Sequence, residues 1–279
     1  RATSNICTAQ VLLAVMAGMY AVYHGPLGLK EISKSIHLKA VYLKRSIESI
    51  GLRIKYSKYF DTVTVLCDSK KIKELAALKK INFCFLSNNE ISISVNEKTN
   101  MKDLKDVISV FEEFMNKESS MEEFPTDIEF INERKSDILS HTVFNSYHSE
   151  TSLMRYIKSL ENKDLSLTQS MISLGSCTMK LNSASEMIPL SWSEWNSIHP
   201  FVPIDQARGY HEVINKLEGY LSEITGFAAT SLQPNSGAQG EYSGLMVIKS
   251  YLDKKGDSHR NICLIPSSAH GTNPASAIM

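Results

Sequence analysis

The chain has 279 residues, of which 43% are hydrophobic, and it carries 30 basic and 30 acidic side chains, so its formal net charge is zero. This length suggests one large domain or two ordinary ones, and the hydrophobic content excludes general disorder. The charge balance favours neither nucleic acid nor an anionic membrane as a partner. Five scattered cysteines without a Cys-x-x-Cys pair argue against a disulfide framework or a zinc site and favour a reducing compartment.

The chain starts without Met and stops shortly after an Asn-Pro turn, so we expect an internal piece of a longer protein. Residues 2–23 contain no charged side chain, which is typical of a buried or membrane helix. The first half of this segment is polar and the second half is rich in small residues, so we expect a helix enclosed by protein on most sides. His24, Gly25 and Pro26 would end it.

Residues 29–115 predict a small α+β layer, one sheet with helices packed on it. Apolar residues recur at helical spacing in 29–50, 70–79 and 104–115, whereas 52–56, 60–67, 83–86 and 91–95 have the pattern of strands. Ser87-Asn88-Asn89-Glu90 between the last two strands indicates a hairpin. Residues 116–140 are charged and lack a sustained period, so they predict a linker.

The region after the linker alternates helical and strand-like segments. Helices are expected at about 150–160 and 213–224, a loop at 170–182, and a rigid extended segment at 199–203, because residues before proline avoid the helical region. Strand 228–232, helix 237–253 and strand 262–265 would form one βαβ unit.

The ten residues 233–242 combine a Pro-Asn turn with a glycine-rich helix start. Ser236 is expected to cap the helix or to donate its hydroxyl to an anion. Gly237 and Gly240 would keep side chains away from the unpaired N–H groups of the first turn. This pattern is found in phosphate cradles, and by itself it is more often that of an ordinary capped helix after a turn.

A second loop, residues 267–274, would follow strand 262–265. Ligands in open α/β sheets bind beyond the carboxyl ends of the strands, so neighbouring strands would bring His270 close to an anion held at Ser236. Its imidazole could then stack on a flat cofactor or move a proton, or it could merely order its own turn. Cys177 has no assignable base, so it is not expected to be a nucleophile. His148 and Glu150 could pair, but a third ligand is not evident, so no metal site is expected.

Six stretches together make the chain recognisable. They are ATSNICTAQ (2–10), FNSYHSET (144–151), LGSCTMKLN (174–182), HPFVP (199–203), QPNSGAQGEY (233–242) and CLIPSSAHGTNPASA (263–277). With these motifs the chain resembles the glycine cleavage system P-protein family, the pyridoxal-phosphate-dependent glycine decarboxylases. The resemblance runs from end to end of the chain.

The resemblance implies an α/β protein of the pyridoxal-phosphate-dependent transferase fold type I. Residues 1–115 would be the last helix and small α+β domain of a first half, 116–140 a linker, and 141–279 the truncated start of the cofactor-binding second half. By family pattern, the residues that hold the phosphate are Ser236, Gly237, Ala238 and Gln239. His270, the catalytic candidate, would lie over the pyridine ring. The glycine pocket would be lined by Thr272, Asn273, Ser176, Thr178, Lys180 and Asn182.

The activity that the resemblance implies is that of glycine dehydrogenase (decarboxylating). Pyridoxal phosphate withdraws electrons while glycine loses carbon dioxide, and the aminomethyl group passes to a lipoyl carrier protein. The family further implies the other glycine cleavage proteins as partners, a homodimer, a mitochondrial location in a eukaryote, and no nucleic acid or membrane. The family's Schiff-base lysine would lie beyond Met279, so we expect this chain alone to be inactive.

Two other classes of function and one less informative rival remain open from the residues. One is a different fold-type-I enzyme, such as an aminotransferase or a desulfurase. The other is a non-catalytic truncated binding module, which the missing lysine favours. A nucleotide-binding α/β protein is the least informative rival, and it predicts affinity for ATP or NAD.

Overall fold

The computed structural model of the chain describes residues 9–121, 123–126, 134–163 and 183–279. These residues form two compact units. One unit comprises Tyr20–Glu161, and the other comprises the described residues before Tyr20 and after Glu161. The division expected from the sequence, at 115 and 140, stays a prediction, although the described residues of the expected linker contain no helix or strand.

The first helix, α1, spans Ala9–Ser49 and is broken at Gly25, whose backbone has φ 60° and ψ −175°. Because Pro26 has no N–H to continue the helical bonds, the expected stop at 24–26 is confirmed as a break. The expected enclosure of the first segment is wrong for residues 12–17, since Leu12 is 64% and Leu13 is 67% exposed, whereas Val22 nearer the break is buried.

By length and composition alone, residues 12–49 of α1 also satisfy the criteria for a membrane-crossing helix, and 11% of the most apolar window is buried. Core helices of soluble proteins and signal sequences satisfy the same criteria. The observation therefore assigns no membrane to the chain.

A four-stranded antiparallel sheet follows α1. Its strands are β1 (Arg53–Ile54), β2 (Thr62–Leu66), β3 (Cys84–Ser87) and β4 (Glu90–Ser94), in the order β1-β2-β4-β3. Helix α2 (Ser69–Leu78) lies between β2 and β3, and α3 (Met101–Met115) follows β4. Val63 pairs with Ile93 and Val65 with Ile91, which places the apolar residues of both central strands on the same face.

The core of this unit joins that face of the sheet to three helices. Leu43 and Ile47 of α1 are fully buried against it, as are Ile72 of α2 and Phe111 of α3. The small α+β layer predicted for 29–115 is therefore confirmed, because period-2 and period-3.6 apolar stripes can be buried together only in this layered arrangement.

Local polar contacts set the helix starts of this layer. Asp68 accepts the backbone N–H groups of Lys70 and Lys71 at the start of α2. Asn100 and Asp103 form a reciprocal capping box at the start of α3, with N–H to oxygen distances of 2.8 Å and 3.0 Å. Such caps satisfy N–H groups that the helix itself leaves unpaired.

The remaining helices are α4 (Glu150–Glu161), α5 (Ala184–Met187), α6 (Ser193–Asn196), α7 (Arg208–Thr225), α8 (Gly237–Lys254) and α9 (Thr272–Ile278). Short 3-10 turns cover Thr142–Asn145, Ile188–Ser191 and Ile204–Gln206. The predicted helices at 150–160, 213–224 and 237–253 are confirmed by α4, α7 and α8.

Two predictions for this region are wrong. Residues 228–232 and 262–265 form no strand, and Ile262 and Leu264 are 84% and 91% exposed. A strand needs a partner for its N–H and C=O groups, and no described segment of this unit pairs with either. The predicted extended segment at 199–203 is a turn, in which Val202 N–H donates to the His199 carbonyl at 3.0 Å and Pro200 supplies a compatible φ.

Candidate functional site: the start of helix α8

Helix α8 begins as the sequence predicts, with Ser236 as its cap. Ser236 Oγ accepts the N–H of Gln239 at 3.3 Å, and the Ser236 carbonyl accepts the N–H of Gly240 at 2.9 Å. Gln239 Oε1 in turn accepts the N–H of Asn235 at 3.0 Å. The turn before α8 and its first turn are thus tied together, which orders the backbone at the mouth of the helix.

Two N–H groups of this mouth have no acceptor among the described residues. Among the residues that the structure describes, the N–H groups of Gly237 and Ala238 make no hydrogen bond. A Cβ built on Gly237 or Gly240 meets no atom within 4 Å, so the space in front of these positions is open. Open N–H groups at the positive end of an 18-residue helix form an environment that favours an anion.

The segment that contains His270 packs along the same helix. A cavity of about 510 Å³ is lined by Gly240, Glu241, Gly244, Leu245 and Ile248 of α8 and by Cys263, Leu264, Ile265, Pro266, Ala269 and Asn273 of the later segment. Asn273 belongs to the predicted glycine pocket and lines this cavity. Ser236 and His270 do not line it, although each lies close in sequence to a residue that does.

His270 lies in a turn, in which its own backbone carbonyl accepts the N–H of Asn273 at 3.0 Å. His270 is exposed. Thr272 and Asn273 form the first turn of α9, which packs on α8. The closeness of His270 to Ser236 that adjacent parallel strands would produce stays a prediction, whereas the packing observed here is that of helix α9 against helix α8.

The candidate pocket residues Ser176, Thr178, Lys180 and Asn182, and also Cys177, lie outside the described residues. Two lining residues were not singled out from the sequence, Glu241 and Cys263. Glu241 lies four residues after Gly237, so helical periodicity would have placed both on the same face of α8. Cys263 gives no such signal, because its place in the cavity depends on how the later segment packs.

The lysines of α8 lie at the other end of the helix. Lys249 Nζ is 3.1 Å from Asp253 Oδ1 and donates to the Ser258 carbonyl at 3.3 Å. Hydrogen bonds from Ser258 and Lys249 hold the pKa of the Asp253 carboxyl below its usual value. Lys249 therefore belongs to a surface ion pair and does not contribute to the mouth of α8.

Comparison with known proteins identifies relatives along the whole chain. The family model described as glycine cleavage system P-protein matches residues 1–111. Proteins named glycine dehydrogenase (decarboxylating) from Christiangramia forsetii and Flavobacterium johnsoniae are 59% and 56% identical over the full chain. The protein of this name from Gallus gallus, called mitochondrial, is 52% identical.

The chain spans about 30% of the length of the bacterial relatives and 28% of the chicken protein. More than half of the residues are identical in each of these three relatives over the whole chain, which is far more specific than a match to any single glycine-rich motif. The chain belongs to the glycine cleavage system P-protein family.

Proposed function

We propose that this chain is part of a glycine dehydrogenase (decarboxylating), which decarboxylates glycine and transfers the aminomethyl group to a lipoyl carrier protein. The observation that carries the proposal is the open mouth of α8, where the N–H groups of Gly237 and Ala238 have no acceptor among the described residues. The similarity along the whole of this chain to proteins of that name supports it.

The cofactor of this proposal is pyridoxal phosphate, within fold type I. The mouth of α8 suits its phosphate, because two backbone donors and the Ser236 hydroxyl lie at the helix start and no atom crowds a Cβ built on Gly237 or Gly240. The amide of Gln239 holds the turn in place. The helix dipole adds about 1 kcal/mol toward an anion, so these groups bind and orient the cofactor.

The residues of the second loop would act on the other side of the ring. His270 is proposed to stack on the pyridine ring, and Thr272 and Asn273 are proposed to bind glycine together with Ser176, Thr178, Lys180 and Asn182. Leu245, Ile248 and Ile265 form an apolar part of the lining of the neighbouring cavity. When bound, the cofactor supplies the electron sink for loss of the glycine carboxylate.

The partners follow from the same proposal. They are glycine, the lipoylated carrier protein and the other glycine cleavage proteins, with a homodimer as the assembly of the whole protein. A mitochondrial location is proposed only for a eukaryotic source, since bacterial relatives are as similar as vertebrate ones.

Binding of pyridoxal phosphate to this chain tests the cradle. Ser236→Ala removes the cap and one hydrogen-bond donor. We expect the Kd for pyridoxal phosphate to rise about fivefold to tenfold, because a cap or a contact with the helix dipole contributes about 1 kcal/mol. Ser243→Ala, in the same helix but beyond its first turn, is the matched control and leaves the Kd unchanged. Equal affinities for the two variants and the parent chain, measured by cofactor fluorescence, contradict the cradle.

Exchange of labelled bicarbonate into glycine tests the activity in the full-length protein with a lipoylated carrier. We expect exchange that depends on both the carrier and the cofactor. Transamination or desulfuration without carrier-dependent exchange would instead support another fold-type-I enzyme. Binding of ATP or NAD in place of pyridoxal phosphate would refute both readings.

A further inference from the structure

The break in α1 leaves a backbone carbonyl that another segment of the chain satisfies. Gly25 interrupts the helix with φ 60°, and His148 Nδ1 lies 2.7 Å from the carbonyl oxygen of Tyr23. Since a carbonyl can only accept, Nδ1 carries the proton in this contact. The neutral imidazole is thereby held as the Nδ1–H tautomer.

Residues 144–148 also approach the backbone of Gly25 closely. A Cβ built on Gly25 would lie 2.6 Å from His148 Cε1 and 2.6 Å from the Phe144 carbonyl oxygen. Gly25 is buried, and its φ lies in the region that favours glycine. Glycine is thus required here for two independent reasons, the backbone angle and the close approach of residues 144–148.

His148 is itself rigidly connected to helix α4. The next residue, Ser149, caps α4, because its Oγ accepts the N–H of Ser152 at 3.3 Å and its carbonyl accepts the N–H of Leu153 at 2.9 Å. The preceding residue, Tyr147, stacks on Tyr156 of α4 with ring centroids 4.2 Å apart. Contacts on both sides of His148 therefore bind it to the first turns of the helix.

We infer that His148 is a positioning residue, which locks the start of α4 onto the break in α1 through its Nδ1–H. The donor on Nδ1 and the absence of a side chain at Gly25 are both necessary for this lock. The inference goes beyond the proposed function and does not depend on it, since it concerns contacts within the unit Tyr20–Glu161.

The first test reads the tautomer directly. Nitrogen chemical shifts of the His148 ring, measured at about pH 8 where free imidazole is neutral, are expected to show the proton on Nδ1. His148→Asn keeps an N–H at nearly the position of Nδ1, whereas His148→Phe keeps the ring and removes the donor. A neutral ring protonated on Nε2 overturns the inference.

The second test measures hydrogen exchange of the whole chain. His148→Phe and Gly25→Ala are each expected to speed amide exchange in residues 142–153 about tenfold, and His148→Asn is expected to restore most of the protection. Amides of β2 and β4 serve as the internal control and stay protected in all three variants. Exchange in 142–153 that is unchanged in His148→Phe, or equally fast in His148→Asn, overturns the lock.

Discussion

Partial burial lowers the reactivity of Cys67, the residue that follows β2. Partial burial, with a smaller contribution from the charge of Asp68, raises the pKa of its thiol to about 11. At about pH 8 only about one thousandth of this side chain is thiolate, the form that reacts. We expect iodoacetamide to alkylate the exposed Cys84 and Cys263 well before Cys67, as followed by peptide mass spectrometry.

The sign of the pH effect follows from the raised pKa. The buried thiol contributes its full stability below its unfolded pKa of about 8.5, and this contribution is lost as the pH rises toward 11. Cys67→Ala should flatten the alkaline side of the stability profile relative to Cys84→Ala. Alkylation of Cys67 as fast as Cys84 at neutral pH would show that the thiol is not shielded.

At the scale of one element, helix α3 depends on the capping box at its start. Asn100 Oδ1 accepts two backbone N–H groups, and the carboxylate of Asp103 accepts the N–H of Asn100. We expect Asn100→Ala to lower the free energy of unfolding by about 1 kcal/mol. Lys105→Ala, exposed on the same helix, is the matched control for denaturant unfolding. A smaller loss for Asn100 than for Lys105 would contradict the cap.

At the scale of the whole molecule, the lysines of the second unit bear on covalent attachment of the cofactor. Lys249 is occupied by Asp253 and Ser258, and Lys254 and Lys255 lie at the far end of α8 from Ser236. We expect pyridoxal phosphate to bind this chain reversibly. Borohydride reduction followed by peptide mapping should find no stoichiometric pyridoxyl group on any lysine. A single lysine modified to completion would contradict this arrangement.

The sequence by itself determined the small layer of residues 29–115 and the family of the chain. Its helices carry apolar residues at a period of about 3.6 and its strands at a period of about 2, and these residues are buried against one another, as Leu43 on α1 and Val65 on β2 are. The local pattern and the tertiary packing therefore agree. Ser236 was likewise predictable as a cap, because capping needs only the side chain and the N–H groups three residues onward.

Only the tertiary structure decided the rest. The apolar runs at 228–232 and 262–265 have strand composition, but a strand exists only where another segment pairs with it, and here none of the described residues does. The contact of α9 with α8, the place of Cys263 in the cavity and the bond from His148 to Tyr23 join residues far apart in the chain. The spacing of these residues along the sequence does not predict the contacts, since long-range packing depends on the path of the whole backbone.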